Sequence, residues 1–334
     1  MNVVGLDIGH SAVKIALKNR AGILSRVLFP SVVCPAMQIS DESERARAAK
    51  QTVSLGTRRY FFGETAQVQN GSRGGTTGLN EKWIYSPEHA VLLLGAWRTI
   101  QEVYGGAIQD AMLVLGLPTH LFSTQRDALR DLVEAHLPVK AGNVRVMPQA
   151  MGPFQTFMLD IDGTPVAGRT MGAQSWAVVE IGHYTTDFGL IARGRWVEQA
   201  CGTCSGVHLA AERVVRELRQ RDIALGLLDA QPVLATGKVK HMGRSIDVSS
   251  ECSEAIGVVV DEAIDTATRL FEPWVGALDG VIVAGGGAVL LYGALARRWP
   301  HVHLAENPRF AIAEGMRRFG AAIEGVRRLA AVQG

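Results

Sequence analysis

The sequence predicts an α/β fold stated twice in one chain. Three observations carry that prediction. A β-meander opens the chain and alternating helices and strands follow it. The same order returns after about residue 172. An acid-Ile-Gly-His motif sits at the first hairpin of each statement, as Asp7-Ile8-Gly9-His10 and as Glu180-Ile181-Gly182-His183. A chain of 334 residues has room for two such halves.

Taken in order, residues 2–8 and 12–18 are apolar strands joined by a tight turn, and a third apolar run covers 23–33. Residues 40–58 are polar and read as loop or weak helix, and 60–62 as a short strand. The Gly-rich stretch 69–80 is expected to be a mobile loop or an edge for subunit contact. Pro87 opens a helix over 88–104 that stops at Gly105-Gly106. Residues 111–115 form a buried strand closed by Gly116-Leu117-Pro118, and Ser123 caps a helix over 123–135. A strand at 144–147 precedes a helix opened by Pro148 and running to Met158. The second half repeats the plan with strands at 176–181, 185–192 and 196–200. Helices follow at 206–220, 223–234 and 250–271, then a buried strand at 281–284, and last helices at 289–298 and 310–326. The expected division is 1–158, with a small insertion at about 36–80, and 159–334, with the helix at 310–326 a candidate to cross back to the first lobe.

Composition narrows the function. Hydrophobic residues make up 47% of the chain, enough for large cores, which excludes global disorder. Lys+Arg is 34 against Asp+Glu 32, a net charge of +2, so direct sequence-specific nucleic-acid binding is not expected. The longest uncharged stretch, 280–296, is too short for a membrane helix and is rich in glycine. Residues 1–9 lack a basic n-region, so the expected location is cytoplasmic. The four cysteines, Cys34, Cys201, Cys204 and Cys252, do not make a disulfide scaffold. Cys201 and Cys204 form a C-x-x-C without a second pair, which favours a structural role over zinc.

The repeated hairpin has a chemical reading. Glycine in a hairpin lets backbone N–H groups approach an anion with no side chain between them. An acid just before the turn cannot touch phosphate but can hold Mg²⁺ through water. Lys14 adds a positive charge and Ser11 a hydroxyl. The competing reading is an ordinary pair of glycine hairpins. His10 and His183 read either as phosphate-side residues, pH sensors or metal ligands, or as hairpin-tip packing.

These residues resemble the actin-like ATPase superfamily. The first hairpin is similar to its phosphate-1 loop and the second, through Thr185-Thr186-Asp187, to its phosphate-2 loop. Val281-Ile282-Val283-Ala284-Gly285-Gly286-Gly287-Ala288 resembles its adenosine motif. Gly116-Leu117-Pro118 with Pro148-Gln149-Ala150, and the stretch from Asn307-Pro308 to Gly315, resemble the two connecting segments. The pieces span residue 5 to about 320, in the family's order. Within the superfamily the likeness is to bacterial plasmid-segregation actins of the ParM or StbA type and to archaeal actin-like relatives.

The resemblance implies a duplicated actin-like (ribonuclease H-like) fold, with two lobes around a nucleotide cleft. It implies ATP/ADP and Mg²⁺ as ligands. Asp7 and Glu180 would hold Mg²⁺ through water, and Gly9, His10, Ser11, Lys14, Gly182, His183 and Tyr184 would bind phosphates. Gln149 would orient the attacking water, with Glu180 the second catalytic residue. Gly286, Gly287 and Leu290 would line the adenosine pocket, with Gly206 and Glu212 at the nucleoside edge. Glu180 stands where the family usually has Asp, and the two tip histidines stand where smaller residues are usual.

The function implied is an ATPase that polymerises into filaments for plasmid or DNA segregation, with itself and a DNA-binding adaptor as partners. The alternatives are a non-hydrolysing scaffold or adaptor, and a small-molecule kinase of the same fold. A kinase usually needs a carboxylate base, and the helix after Pro148 offers Gln149 and no acid before Asp160.

Overall fold

A computed structural model describes residues 1–70, 81–108 and 110–333. The chain divides into two compact units, Met1–Val166 with Ile312–Gly334, and Ala167–Ala311.

The first unit is built on β1 (Asn2–Ile8), β2 (Ala12–Lys18) and β3 (Leu24–Pro30). After them come β4 (Val33–Pro35), α1 (Glu42–Lys50), β5 (Thr52–Leu55), β6 (Arg58–Phe62) and α2 (Gly63–Asn70). A 3₁₀ turn at Trp83–Tyr85 leads into α3 (Pro87–Tyr104), β7 (Ala111–Leu117), α4 (Thr119–His136), β8 (Val144–Pro148) and α5 (Met151–Met158). Its main sheet runs β3-β2-β1-β7-β8, antiparallel through the meander and parallel from β1 outward. Apolar side chains of β1 and β2 such as Leu6, Ile15 and Leu17 pack with Val91, Leu92 and Ile100 of α3 in one core. The strands are apolar on both faces because a second cluster, Met112, Val114 and Met147 with Ile312 and Met316, covers the other side.

The second unit holds β9 (Ser175–Ile181), β10 (Thr185–Ala192), β11 (Arg195–Trp196), β12 (Gly202–Ser205), α6 (His208–Arg219), α7 (Leu227–Thr236), β13 (Lys238–His241) and β14 (Arg244–Asp247). It continues with α8 (Ser249–Phe271), β15 (Gly280–Ala284), α9 (Ala288–Arg298) and β16 (Val302–Leu304). Its sheet runs β11-β10-β9-β15-β16, with β12 also paired to β10. Strand for strand this is the order of the first unit, with the same antiparallel and parallel pairings. The duplication read from two short motifs is therefore a duplication of topology.

The last helix, α10 (Ala311–Gln333), belongs to the first unit from Ile312 onward. Gly315 and Gly152 approach so closely that a Cβ on Gly315 would strike the Gly152 carbonyl. Glu314, buried in the same stretch, pairs with Arg26 and with Arg318 at 3.3 Å. Arg318 also donates to the carbonyls of Thr156 and Leu159 at 2.7 Å. These bonds hold the end of the chain beside α5, at the point where the chain leaves the first unit.

Several elements differ from expectation. Pro148 ends β8 instead of opening a helix. It pairs with Leu117 on an edge strand, where a missing N–H is tolerated. α4 begins at Thr119, directly after the extended Pro118, so Ser123 lies inside the helix and caps nothing. The run 23–33 splits, and β4 leaves the main sheet to join β6 and β5 in a separate three-stranded sheet. The polar stretch after residue 40 contains a true helix, α1, because the Asp41 carboxylate accepts from Glu44 N–H at 2.8 Å. The expected strand 196–200 is a two-residue strand and a 3₁₀ turn, and the C-x-x-C then lies on or beside β12. Residues 71–80, the core of the Gly-rich stretch, lie outside the described residues. Among the described residues, no helix is long and apolar enough to cross a membrane.

Candidate functional site

In the first unit β1 and β2 set Asp7 and Lys14 directly opposite each other. Lys14 Nζ donates to Asp7 Oδ2 at 2.8 Å. Gln149 Nε2 donates to Asp7 Oδ1 at 2.8 Å. Asp7 is 1% exposed, so its charge is buried with one cation and one amide beside it. Gln149 reaches it because β8 lies at the far side of β7, and the Gln149 N–H bonds the Leu117 carbonyl at 2.8 Å. Asp7 and Lys14 of one hairpin and the distant Gln149, all expected at the site, are thus gathered beside the ends of parallel β1, β7 and β8, where α/β sheets bind ligands.

The turn between them is Gly9-His10-Ser11. Ser31 secures it, donating its hydroxyl to the Gly9 carbonyl at 2.5 Å and its N–H to the Ser11 carbonyl at 3.1 Å. His10 stacks on Trp83, with ring centroids 4.7 Å apart at 26°. Trp83 Nε1 donates to the Ile8 carbonyl at 3.3 Å, and the buried His89 meets the indole edge-on at 5.7 Å. Burial, with His10 and His136 nearby, lowers the His89 pKa to about 3 and keeps that ring neutral.

In the second unit the acid is Glu180, 5% exposed, and its cross-strand partner is Asp187 where the first hairpin has Lys14. The Thr185 hydroxyl donates to Asp187 Oδ2 at 2.8 Å. The second hairpin therefore carries two acids in the register where the first carries an acid and a base.

Its tip, Gly182-His183-Tyr184, is tied to the start of α6. Gly206 N–H bonds the Tyr184 carbonyl at 2.8 Å, Val207 N–H the Gly182 carbonyl at 3.2 Å, and His208 N–H the His183 carbonyl at 2.7 Å. The approach is so close that a Cβ on Gly206 would sit 2.7 Å from Thr185 N. His183 Nδ1 and the Gln231 side-chain amide are hydrogen-bonded at 2.7 Å. The Tyr184 ring packs against both His183 and His208, with centroid distances of 4.6 and 5.1 Å.

Gly285 closes the other side of Glu180. It has φ +97°, and a Cβ there would come 2.5 Å from Glu180 Oε1 and strike the Ile181 carbonyl. Gly287 N–H bonds the Ile181 carbonyl at 2.9 Å. Gly286 is exposed and faces open space. Leu290 is half-buried against the core. Glu212 is exposed on α6 and is not among the residues that these bonds draw together.

Sequence reading passed over Trp83, Gln231 and the acid–acid register of Glu180 with Asp187. The last was legible, since aligning the two hairpins puts Asp187 opposite Lys14 of the first. Trp83 and Gln231 lie in segments without a motif, and no local signal marks them. The C-x-x-C does no visible chemistry here. Cys201 and Cys204 are free thiols, and burial with neighbouring Glu198 and Glu262 pushes them up to about 12 and about 11.

Known proteins match this arrangement. A family model described as the N-terminal domain of actin-like proteins matches residues 5–152. One described as the C-terminal part of the archaeal MreB-like actin homologue matches residues 178–297. Together they cover well over half of the chain in order, and the chain belongs to the actin-like proteins.

Among solved structures, one similar to this chain is a 15-stranded ParM filament from Clostridium botulinum. Its TM-score is 0.75 at 19% identity, covering 96% of this chain and 98% of that one. The archaeal actin homologue Ta0583 in complex with ADP has a TM-score of 0.68 at 17% identity, covering 98% and 100%. Bacillus thuringiensis ParM with AMPPNP has 0.68 at 14% identity, covering 98% and 99%. At these identities the likeness shows the fold, which is the actin-like fold. Comparison with curated proteins by sequence gives no match.

Proposed function

We propose that this protein is an actin-like ATPase that binds Mg-ATP through both acid-bearing hairpins, hydrolyses it and assembles into filaments. The observation that carries the reading is the Asp7 carboxylate held at 2.8 Å from both Lys14 Nζ and Gln149 Nε2. It joins a candidate metal-side acid, a phosphate-side cation and a water-orienting amide in one cluster.

The donor set suits magnesium, which favours carboxylate and phosphate oxygens and keeps much of its water. Asp7 and Glu180 would hold it through water, and it would neutralise charge on the phosphoryl group being transferred. The remaining work falls to the protein's own groups. Backbone N–H groups of Gly9, His10, Ser11, Gly182, His183 and Tyr184 would bind phosphate oxygens, and Lys14 would add a charge. Gln149, anchored on Asp7, would orient a water for in-line attack, a positioning role that needs no covalent intermediate. Gly286, Gly287 and Leu290 would take the adenosine, with Gly206 and Glu212 toward its edge.

Filament formation is supported by the fold shared with a ParM filament, and nucleotide binding by the ADP and AMPPNP complexes of two other proteins of the same fold. The cellular role proposed is plasmid or DNA segregation in the cytoplasm. A net charge of +2 suits cargo held through a DNA-binding adaptor.

A non-hydrolysing scaffold is the second reading, favoured by Glu180 in place of the usual Asp. The kinase reading loses ground. Asp160 lies beyond α5, and its Oδ1 already accepts from the N–H groups of Asp162 and Thr164 in a turn.

Calorimetric titration of the full chain with Mg-ATP, followed by phosphate release, tests the proposal. Saturable binding with slow, Gln149-dependent phosphate release is expected. Binding without release supports the scaffold, and no binding overturns both.

A further inference from the structure

Each hairpin tip carries a histidine, and each histidine has a dedicated partner from outside the hairpin. In the first unit the partner is Trp83. Its indole face stacks on His10 at 4.7 Å while its Nε1–H grips the Ile8 carbonyl at 3.3 Å, one residue before the turn. Trp83 is itself held edge-on by buried His89 of α3, whose first turn is capped by Ser86 accepting from His89 N–H at 3.1 Å. In the second unit the partner is Gln231 of α7. Its side-chain amide meets His183 Nδ1 at 2.7 Å, a hydrogen bond that fixes the imidazole ring.

The two devices are chemically different and arise from unrelated segments. They do the same thing, which is to fix the ring plane of a tip imidazole. An imidazole on a free turn has two rotatable torsions, and ordering such a side chain on binding costs affinity. A ring held in place beforehand avoids that cost.

We propose that Trp83 and Gln231 are positioning residues for nucleotide phosphate binding, each orienting the histidine at its own hairpin tip so that its ring serves the phosphates. The inference rests on the nucleotide-binding reading above. It predicts that loss of either partner weakens ligands in proportion to their phosphates and spares the nucleoside. It also makes Trp83 a reporter, because a ligand that engages His10 alters the stack and with it the indole emission.

The test uses the full chain, AMPPNP and adenosine as probes, and the variants Trp83→Leu, Trp83→Phe and Gln231→Ala. The expected result is a five- to tenfold rise in Kd for AMPPNP with Trp83→Leu and with Gln231→Ala, and an unchanged Kd for adenosine. Trp83→Phe, which keeps a ring over His10, should restore most of the AMPPNP affinity. The difference in emission between wild type and Trp83→Phe isolates Trp83, and it should shift with AMPPNP and not with adenosine. Should Trp83→Leu fail to fold, Gln231→Ala and the emission difference decide the matter. Equal loss for both ligands, or no loss with a silent Trp83 emission, overturns the positioning role while nucleotide binding stands. A wild-type chain that binds neither probe overturns the binding reading and this one with it.

Discussion

Replacing Gly285 with alanine should destabilise the second unit while the same change at Gly286 should not. Gly285 has φ +97°, and its added Cβ would come 2.5 Å from Glu180 Oε1 and strike the Ile181 carbonyl. The backbone term for an L-residue in that region is about 1–2 kcal/mol, and overpacking against backbone and a buried carboxylate adds about 1–3 kcal/mol. The sum is roughly 2–5 kcal/mol. For a unit the size of Ala167–Ala311 a change of 1 kcal/mol moves Tm by about 3 °C, so a fall of roughly 6–15 °C is expected. Gly286 has nothing within 4 Å of a built Cβ, and Gly286→Ala should stay within about 0.5 kcal/mol of wild type. Calorimetric melts without nucleotide read both, with no contribution from ligand binding. A Gly285→Ala melt within about 2 °C of wild type, or an equal loss at Gly286, would refute the packing argument around Glu180.

Other consequences follow from the same geometry. Gln149→Ala removes the donor on Asp7 Oδ1, and phosphate release should slow roughly a hundredfold while the Kd for Mg-ATP moves less than about threefold. A matching loss of affinity would make Gln149 a binding group instead. His89 stays neutral in the fold, with its pKa near 3, while in the unfolded chain it titrates near the ordinary value of 6.5. Its contribution to stability is therefore intact above pH ~6.5 and is lost as pH falls toward 3, about 2 kcal/mol by pH 5. Denaturant titrations at pH 7 and pH 5 should show that loss in wild type and a smaller one in His89→Gln. Cys201 and Cys204, raised to about 12 and about 11, should resist iodoacetamide at pH 8 in the folded chain and react on unfolding, as read by mass spectrometry. Fast labelling of either would contradict the burial that raises them.

What the sequence showed, and what it hid, has a physical pattern. β1, β2, β9 and β10 were legible because they are long and apolar and end in glycine turns. Both acids and Gln149 were legible as members of motifs. The shortest strands were not. β16 is three residues long, and β12 reads Gly-Thr-Cys-Ser, with no apolar alternation to mark it. The β13–β14 hairpin carried a usable signal, since Met242-Gly243, with φ 46° and 80°, is a two-residue turn between alternating Lys238-Val239-Lys240-His241 and Arg244-Ser245-Ile246-Asp247. Pro148 misled because proline suits both the first turn of a helix and the end of an edge strand, and only the pairing with Leu117 decides between them. Trp83 and Gln231 were hidden for a different reason. Their partners are distant in sequence, and no local periodicity encodes such a contact.

The most direct test of the account is high-speed sedimentation of the full chain over a range of concentrations with Mg-ATP, with Mg-ADP and without nucleotide. A nucleotide-driven filament predicts pelleting above a threshold concentration with Mg-ATP, and loss of that pelleting when both Asp7 and Glu180 are replaced by alanine. A chain that stays in the supernatant at every concentration and with every nucleotide, while calorimetry shows that it binds ATP, would contradict the filament claim.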